Sequence, residues 1–212
     1  MVNKEAYLEL VETLRPKGVG LVAVSKFKNA TDIQALYDLG HRDFGENYVQ
    51  ELLEKKEQLP KDIRWHFIGH LQTNKVKYIA PFVHLIHGVD SLKLLKEISK
   101  QGLKVSRKIL VLLQVHISQE ETKFGMNEEE LNEALTALAN LDGVEVNGLM
   151  GMASFSEDQN LVRSEFQQLS GLFNNNQGLS ILSMGMSGDY KLAIEEGSNL
   201  IRIGSLLFGR RD

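Results

Sequence analysis

Short apolar runs alternate with helical segments along the whole chain, and this alternation constrains the fold more than any other feature. Eight runs are typical of buried strands: GLVAV, HRDFG, RWHFIG, VHLIHGV, KILVLLQVHI, VEVNGLMGM, LSILSMGM and NLIRIG. Most of them are continuously apolar, as expected for parallel strands covered by helices. Eight strand–helix repeats in 212 residues predict an α/β fold, a single-domain (β/α)8 TIM barrel. An open doubly wound sheet remains the alternative, because periodicity alone does not separate the two.

The helical segments are predicted from their 3.6-residue apolar spacing and their start signals. An extra helix precedes the first strand, over residues 3–14, and ends near Pro16 and Gly18. Thr31, Ser91 and Asn127 are predicted N-caps. The remaining helices are predicted over residues 32–39, 46–58, 72–79, 92–100, 128–140, 161–174 and 191–196. The chain has no linker and no repeat of solenoid period, so we expect one domain over residues 1–212.

Composition excludes several classes of function. A net charge of −4 without a long basic run argues against a nucleic-acid partner. The absence of cysteine removes disulfides, thiolate nucleophiles and cysteine–zinc sites. The N-terminal residues lack the apolar core of a signal peptide, and no apolar stretch approaches the roughly 18 residues of a membrane span. We therefore expect a cytoplasmic protein with no membrane partner.

Barrel enzymes carry their functional groups at the carboxyl ends of the strands. Lys26 follows the first strand directly, in "GLVAVSK". A lysine at a barrel mouth is partly desolvated, which lowers its pKa and makes its amine a better nucleophile toward a carbonyl. A snorkelling or ion-paired lysine is the ordinary alternative, and Lys28, two residues on, is predicted to be solvated.

Two loops near the C-terminus are typical of a phosphate site. "MSGD" and "IGS" follow the seventh and eighth strands, and they supply hydroxyls and backbone N–H groups from Ser187, Gly204 and Ser205. Ordinary helix capping is the alternative. Arg202 lies inside the last apolar strand, so it must be ion-paired or face a polar cavity. A lysine and a phosphate site on one barrel face fit a phosphorylated aldehyde, either pyridoxal phosphate (PLP) or the sugar phosphate of an aldolase.

The histidines do not predict a metal site. "HFIGH" places His66 and His70 four residues apart, but across the end of a strand rather than along one helix face. His66 on the apolar run "WHFIG" is better explained as a core histidine with one satisfied ring nitrogen. We therefore expect no bound metal.

Several motifs in a fixed order resemble one family along nearly the whole chain. They are LVAVSK, FGENYVQE, WHFIGHLQTNK, VDS, GLMGM, LSMGMSGD and IRIGSLLFG, and the family is that of the pyridoxal phosphate homeostasis proteins. The resemblance implies a barrel like the N-terminal domain of alanine racemase, with PLP held as a Schiff base by Lys26. It also implies that Arg202 faces the pyridine nitrogen and that Ser187, Gly204 and Ser205 hold the phosphate. Asn47 of "GENY" and His66 are the remaining residues implied on the cofactor side.

The resemblance implies binding rather than turnover: a carrier or buffer in PLP homeostasis, with PLP-dependent apo-enzymes as recipients and no established catalysis. A ring nitrogen beside Arg202 stays unprotonated and is a poor electron sink. A two-base racemase also needs a second acid–base group, which alanine racemase takes from a further domain, so we expect a monomer without racemase activity. A PLP-dependent racemase of low activity and a Schiff-base aldolase remain the alternatives. The sequence "FKN" after Lys26 departs from the family pattern, as do His116 and Gln119.

Overall fold

Eight parallel strands close into a barrel in the computed structural model, which describes residues 2–120 and 122–209. The strands are β1 Gly20–Val24, β2 Asp43–Glu46, β3 Arg64–Phe67, β4 Leu85–Val89, β5 Ile109–Gln114, β6 Val144–Met150, β7 Ile181–Ser183 and β8 Leu200–Ile203. Each strand pairs with the next, and β8 pairs with β1 through Leu21 and Ile201. That last pairing confirms the TIM barrel and excludes the open sheet.

The helices surround the barrel, and an N-terminal helix precedes it as predicted. They are α1 Lys4–Leu14, α2 Ala30–Tyr37, α3 Val49–Gln58, α4 Val76–Ile79, α5 Leu92–Lys104, α6 Glu128–Ala137, α7 Gln159–Asn175, α8 Tyr190–Glu195 and α9 Ser205–Phe208. Within the described ranges, no helix is long and apolar enough to cross a membrane.

Most helix boundaries lie close to the predictions, and several helix starts differ from them. Helix α4 begins at Val76 rather than at residue 72, because Thr73–Lys75 form a 3₁₀ turn before it. Helix α2 begins at Ala30, because Asn29 rather than Thr31 is its N-cap and accepts a hydrogen bond from the amide of Asp32 at 2.9 Å. Helix α3 begins at Val49 rather than at residue 46, because Glu46 is the last residue of β2. The predicted caps Ser91 and Asn127 are confirmed, since their side chains accept from the amides of the third residues of α5 and α6.

Alternate strand residues face two different environments. One set packs between the barrel and the helices in a large apolar core, represented by Ile86, Val111 and Leu149. The other set points into the barrel, where Leu112 and Met150 belong to a small apolar cluster. The same inward alternation brings polar residues into the barrel interior, among them His66, His87, Ser183 and Arg202. The continuously apolar runs thus arise because both faces of the sheet are buried.

Candidate functional site

A cavity of about 330 Å³ opens at the carboxyl ends of β1 and β8. Five of the seven residues predicted from the sequence line this cavity together: Lys26, Ser187, Arg202, Gly204 and Ser205. The topology explains this meeting, because closure of the barrel through the β1–β8 pair places the first and last strands side by side. A larger groove of about 740 Å³ shares Ser187, Gly188 and Asp189 with it, but that groove extends along α7 and α8 without Lys26 or Arg202.

The backbone on either side of Lys26 is fixed by charged groups of β2 and α3. Ser25 is fully buried; its hydroxyl donates to Glu46 Oε1 at 2.6 Å, and its carbonyl accepts from Lys55 Nζ at 2.8 Å. Phe27 has a φ of +62°, which is uncommon for a residue other than glycine. Its amide donates to Glu51 Oε1 at 2.5 Å. The polypeptide therefore turns sharply at the strand end and holds Lys26, half-buried, at the mouth.

Lys55 completes this anchor with all three of its ammonium protons. Besides the Ser25 carbonyl, it donates to Glu46 Oε1 at 2.7 Å and to Glu51 Oε1 at 2.6 Å. Burial raises the pKa of Glu46 to about 7, although the nearby Lys55 ammonium opposes the shift. The anchor thus contains a carboxyl group that changes charge near neutral pH.

Arg202 closes the buried end of the cavity. Its side chain is almost fully buried, and Nη1 donates to Ser183 Oγ at 2.6 Å while Nη2 donates to the Gly151 carbonyl at 3.1 Å. Burial lowers the pKa of Arg202 to about 10, opposed by the carboxylate of Asp189. The guanidinium remains a cation at neutral pH, and because it has N–H donors and no acceptor atom, it suits a ligand with an acceptor in the cavity.

The opposite side of the cavity has the chemistry of an anion site. Ser187 Oγ accepts from the amide of Gly204 at 3.3 Å, which brings the loops after β7 and β8 together. Ser205 begins α9 directly afterwards, and the first N–H groups of a helix have no partner within the helix. Burial raises the pKa of Asp189, while the Met186 amide, donating to Asp189 Oδ1 at 2.6 Å, opposes that shift. Amine, buried cation and anion-binding loops thus surround one cavity, a set of donors that fits PLP.

The two other predicted residues lie elsewhere. Asn47 lines a neighbouring cavity of about 660 Å³ beside Tyr48 and His70, and its Oδ1 is buried without a hydrogen-bond partner in the described part of the chain. His66 is buried inside the barrel, where its ring bonds to His87 and Asp43 rather than lining the Lys26 cavity. Direct contact of either residue with a cofactor stays a prediction.

Sequence reasoning missed several members of the site. Lys28 is half-buried and lines the cavity, and it donates to the carbonyl of Phe208 at 2.9 Å, so the expectation that it is solvated was wrong. Asp189 and the exposed Phe155 also line the cavity. The "SGD" tripeptide could have indicated Asp189, whereas no sequence pattern placed Phe155, which comes from the loop after β6.

One group of described residues has the ligand types of a metal site: Asp43, His66 and His84, whose ligand atoms lie within 4.8 Å of one another. Both oxygens of Asp43 already accept hydrogen bonds from the Arg64 guanidinium. The carboxylate of Asp43 is thus already paired with a cation, and the contacts within the cluster favour an ion pair over a metal centre.

Comparison with known proteins supports a relationship along the full chain. Residues 4–212 match the family model described as alanine racemase, N-terminal domain. The pyridoxal phosphate homeostasis protein of Aquifex aeolicus is 43% identical over 197 residues, 90% of this chain and 86% of that protein. The protein of the same description from Synechocystis sp. is 39% identical, with all of both chains covered.

Solved structures give the same result. PipY of Synechococcus elongatus PCC7942, a structure with PLP bound, superposes with a TM-score of 0.89 at 34% identity and covers 97% of this chain and 99% of that one. Alanine racemase from Bartonella henselae superposes with a TM-score of 0.73 at 18% identity over 95% of this chain and 56% of its own, which shows a common fold alone. The chain therefore belongs to the pyridoxal phosphate homeostasis protein family, within the wider group defined by the N-terminal domain of alanine racemase.

Proposed function

We propose that this protein binds PLP at Lys26 and serves PLP homeostasis as a carrier or buffer of the reactive aldehyde. One observation carries the proposal: Lys26, the buried cation of Arg202 and the hydroxyls of Ser187 and Ser205 line one cavity. PLP has an aldehyde, a ring nitrogen and a phosphate, and the cavity offers a group for each. The names and titles of the relatives, PLP homeostasis proteins and a structure with PLP bound, support the same ligand.

Each residue has a distinct part in this binding. Lys26 would hold PLP through its amine, as a Schiff base with the aldehyde formed with loss of water. Arg202 would donate to the ring nitrogen and, being a cation, would keep that nitrogen unprotonated. Ser187, Gly204 and Ser205 hold the phosphate through hydroxyl and amide donors.

The arrangement favours storage over catalysis. A PLP ring with an unprotonated nitrogen supplies a weak electron sink, so the arginine limits carbanion chemistry while leaving attachment possible. Release to a PLP-dependent apo-enzyme would require only that water or a second amine take the place of Lys26. We further propose that the protein acts in the cytoplasm and as a monomer, without a nucleic-acid or membrane partner.

Borohydride trapping of the attached aldehyde tests the proposal directly. Reduction fixes PLP to its lysine, and trypsin does not cut after a modified lysine. A label on Lys26 gives the peptide of residues 18–28, whereas a label on Lys28 gives residues 27–42. We expect the first peptide, together with a near-visible absorbance band that Lys26→Ala abolishes. Lys100→Ala, at an exposed position of α5, is the control and retains the band. Absence of any band after addition of PLP to the wild-type protein would refute the proposal.

A further inference from the structure

A row of polar side chains connects the cavity to the far end of the barrel. Arg202 Nη1 donates to Ser183 Oγ at 2.6 Å, and Ser183 Oγ lies 3.4 Å from His87 Nδ1. His87 Nε2 lies 2.9 Å from His66 Nδ1, and His66 Nε2 lies 3.0 Å from Asp43 Oδ1. The four links use residues of β8, β7, β4, β3 and β2, and the three central side chains are each at most 3% exposed.

Arg202 and Asp43, at the two ends of this row of hydrogen bonds, determine the direction of every bond in it. A guanidinium only donates, so Ser183 Oγ accepts from Arg202 and its own proton points to His87 Nδ1. At the other end, burial alone would raise the pKa of Asp43, but hydrogen bonds from Arg64 and His66 hold it well below its usual range. The ionised carboxylate only accepts, so His66 donates through Nε2. His66 Nδ1 is then an acceptor for the Nε2 proton of His87.

The opposite direction conflicts with the surroundings. If His87 carried its proton on Nδ1, Ser183 Oγ would face two donors and its hydroxyl proton would lose its acceptor. A doubly protonated His87 would bury a second cation near Arg202, and burial lowers the pKa of His87 well below its ordinary value. His87 therefore carries its proton on Nε2 and donates it to Nδ1 of His66, whose own Nε2 donates to Asp43.

We propose that Ser183, His87 and His66 are positioning residues for Arg202, forming a directed hydrogen-bond chain that holds its guanidinium at the buried end of the cavity. Each of these side chains turns its acceptor atom toward Arg202 and its proton toward Asp43, so the aligned dipoles stabilise the buried positive charge. Arg202 then presents only N–H donors to the cavity, which selects a ligand with an acceptor, such as an unprotonated ring nitrogen. This inference rests on the proposed function for the identity of that ligand.

Nuclear magnetic resonance of the PLP-free protein tests the donor-to-acceptor direction of these hydrogen bonds. Long-range ¹H–¹⁵N spectra of the imidazoles report which ring nitrogen carries the proton. We expect the proton of each ring on Nε2 and Nδ1 without one, assigned through loss of the corresponding signals in His66→Gln and His87→Gln. A proton on Nδ1 of either ring, or an imidazolium, would overturn the assignment.

A second measurement tests the effect on Arg202. Ser183→Ala removes the first link, and we expect faster hydrogen exchange of the Arg202 Nε–H and a PLP dissociation constant about tenfold higher, as for the loss of one hydrogen bond to a charged group. The matched control is Ser118→Ala, because Ser118 Oγ is also buried but has no hydrogen-bond partner among the described residues. Equal behaviour of the two variants in both measurements would refute the positioning role.

These two measurements separate the inference from the proposed function. The histidine tautomers and the hydrogen exchange of the Arg202 Nε–H are measured without PLP. They therefore decide the direction of the hydrogen bonds and the restraint on Arg202 even if the wild-type protein binds no PLP. Failure of PLP to bind, by contrast, would refute the proposed function and leave the hydrogen-bond chain as an observed property of the barrel.

Discussion

Replacing Glu46 with glutamine removes a carboxyl group that the fold holds in an unfavourable charge state above neutral pH. Its surroundings are the Lys55 ammonium and Glu51 carboxylate of α3 and the Ser25 hydroxyl after β1. Burial raises the pKa of Glu46 from 4.5 to about 7, against the opposing effects of Lys55 and Ser25. Between these two values the folded protein binds a proton that the unfolded chain has released, so stability falls as pH rises through that window.

The size of this effect follows from the two pKa values. Each unit of pKa corresponds to about 1.36 kcal/mol, so full ionisation of Glu46 lowers the free energy of unfolding by about 3 kcal/mol. Most of this loss, about 2 to 3 kcal/mol, is expected between pH 5 and pH 8. For a denaturant slope of about 2.5 kcal/mol/M, the urea midpoint of the wild-type protein falls by roughly 1 M relative to Glu46→Gln over the same range.

Urea unfolding of PLP-free protein at several pH values measures this difference. Trp65 is the only tryptophan and is buried, so its fluorescence reports unfolding alongside circular dichroism. Glu57→Gln is the control, because this exposed carboxyl lies on the same helix and should preserve the wild-type pH dependence. A constant difference between the wild type and Glu46→Gln from pH 5 to pH 8 would refute the reasoning, and a wild type that gains stability relative to Glu46→Gln as pH rises would show that the Lys55 ion pair outweighs burial.

Three further substitutions have expected outcomes. Gly148→Ala should lower the free energy of unfolding in urea by more than about 3 kcal/mol, because its Cβ would lie 1.8 Å from the Ile181 carbonyl oxygen. Gly171→Ala, within α7 and with no atom within 4 Å of its Cβ, should raise that free energy by about 1 kcal/mol. Equal effects of the two substitutions would contradict the steric argument that separates them. Lys55→Met should destabilise by about 3 kcal/mol, since it leaves two carboxyl groups without their buried cation, and an unchanged urea midpoint would argue against that buried network. Ser187→Ala should weaken PLP binding several-fold in absorbance titrations without changing the urea midpoint of the PLP-free protein; unchanged affinity would exclude a phosphate contact.

Much of the architecture could be predicted because it depends on short-range patterns. The continuous apolar runs indicate strands buried on both faces, and the caps Ser91 and Asn127 act within one turn of their own helices. Boundaries were less certain where two elements compete for one residue. The negative charge of Glu46 is typical of the first turn of a helix. In the structure this residue instead ends β2, where its buried side chain accepts a hydrogen bond from Lys55.

The mouth of the site could be predicted only as a set of separate candidates. Lys26 is a candidate because a lysine directly follows an apolar strand, and Arg202 is a candidate because it lies inside such a strand. The β1–β8 pairing makes them neighbours around one cavity. Lys28 was misjudged, because its partner, the Phe208 carbonyl, is 180 residues away in the sequence.

The sequence by itself determined the barrel class, the family and the residues that suit an aldehyde and a phosphate, because each depends on local periodicity or on motifs read in order. Only the tertiary structure decided which buried polar residues act together. His66, His87, Ser183 and Arg202 lie on four different strands, and their meeting depends on strand register and on barrel closure. A single histidine in an apolar strand therefore gives no indication of its partner. The closed barrel turns these four polar side chains toward one axis, where hydrogen bonds join them to Asp43.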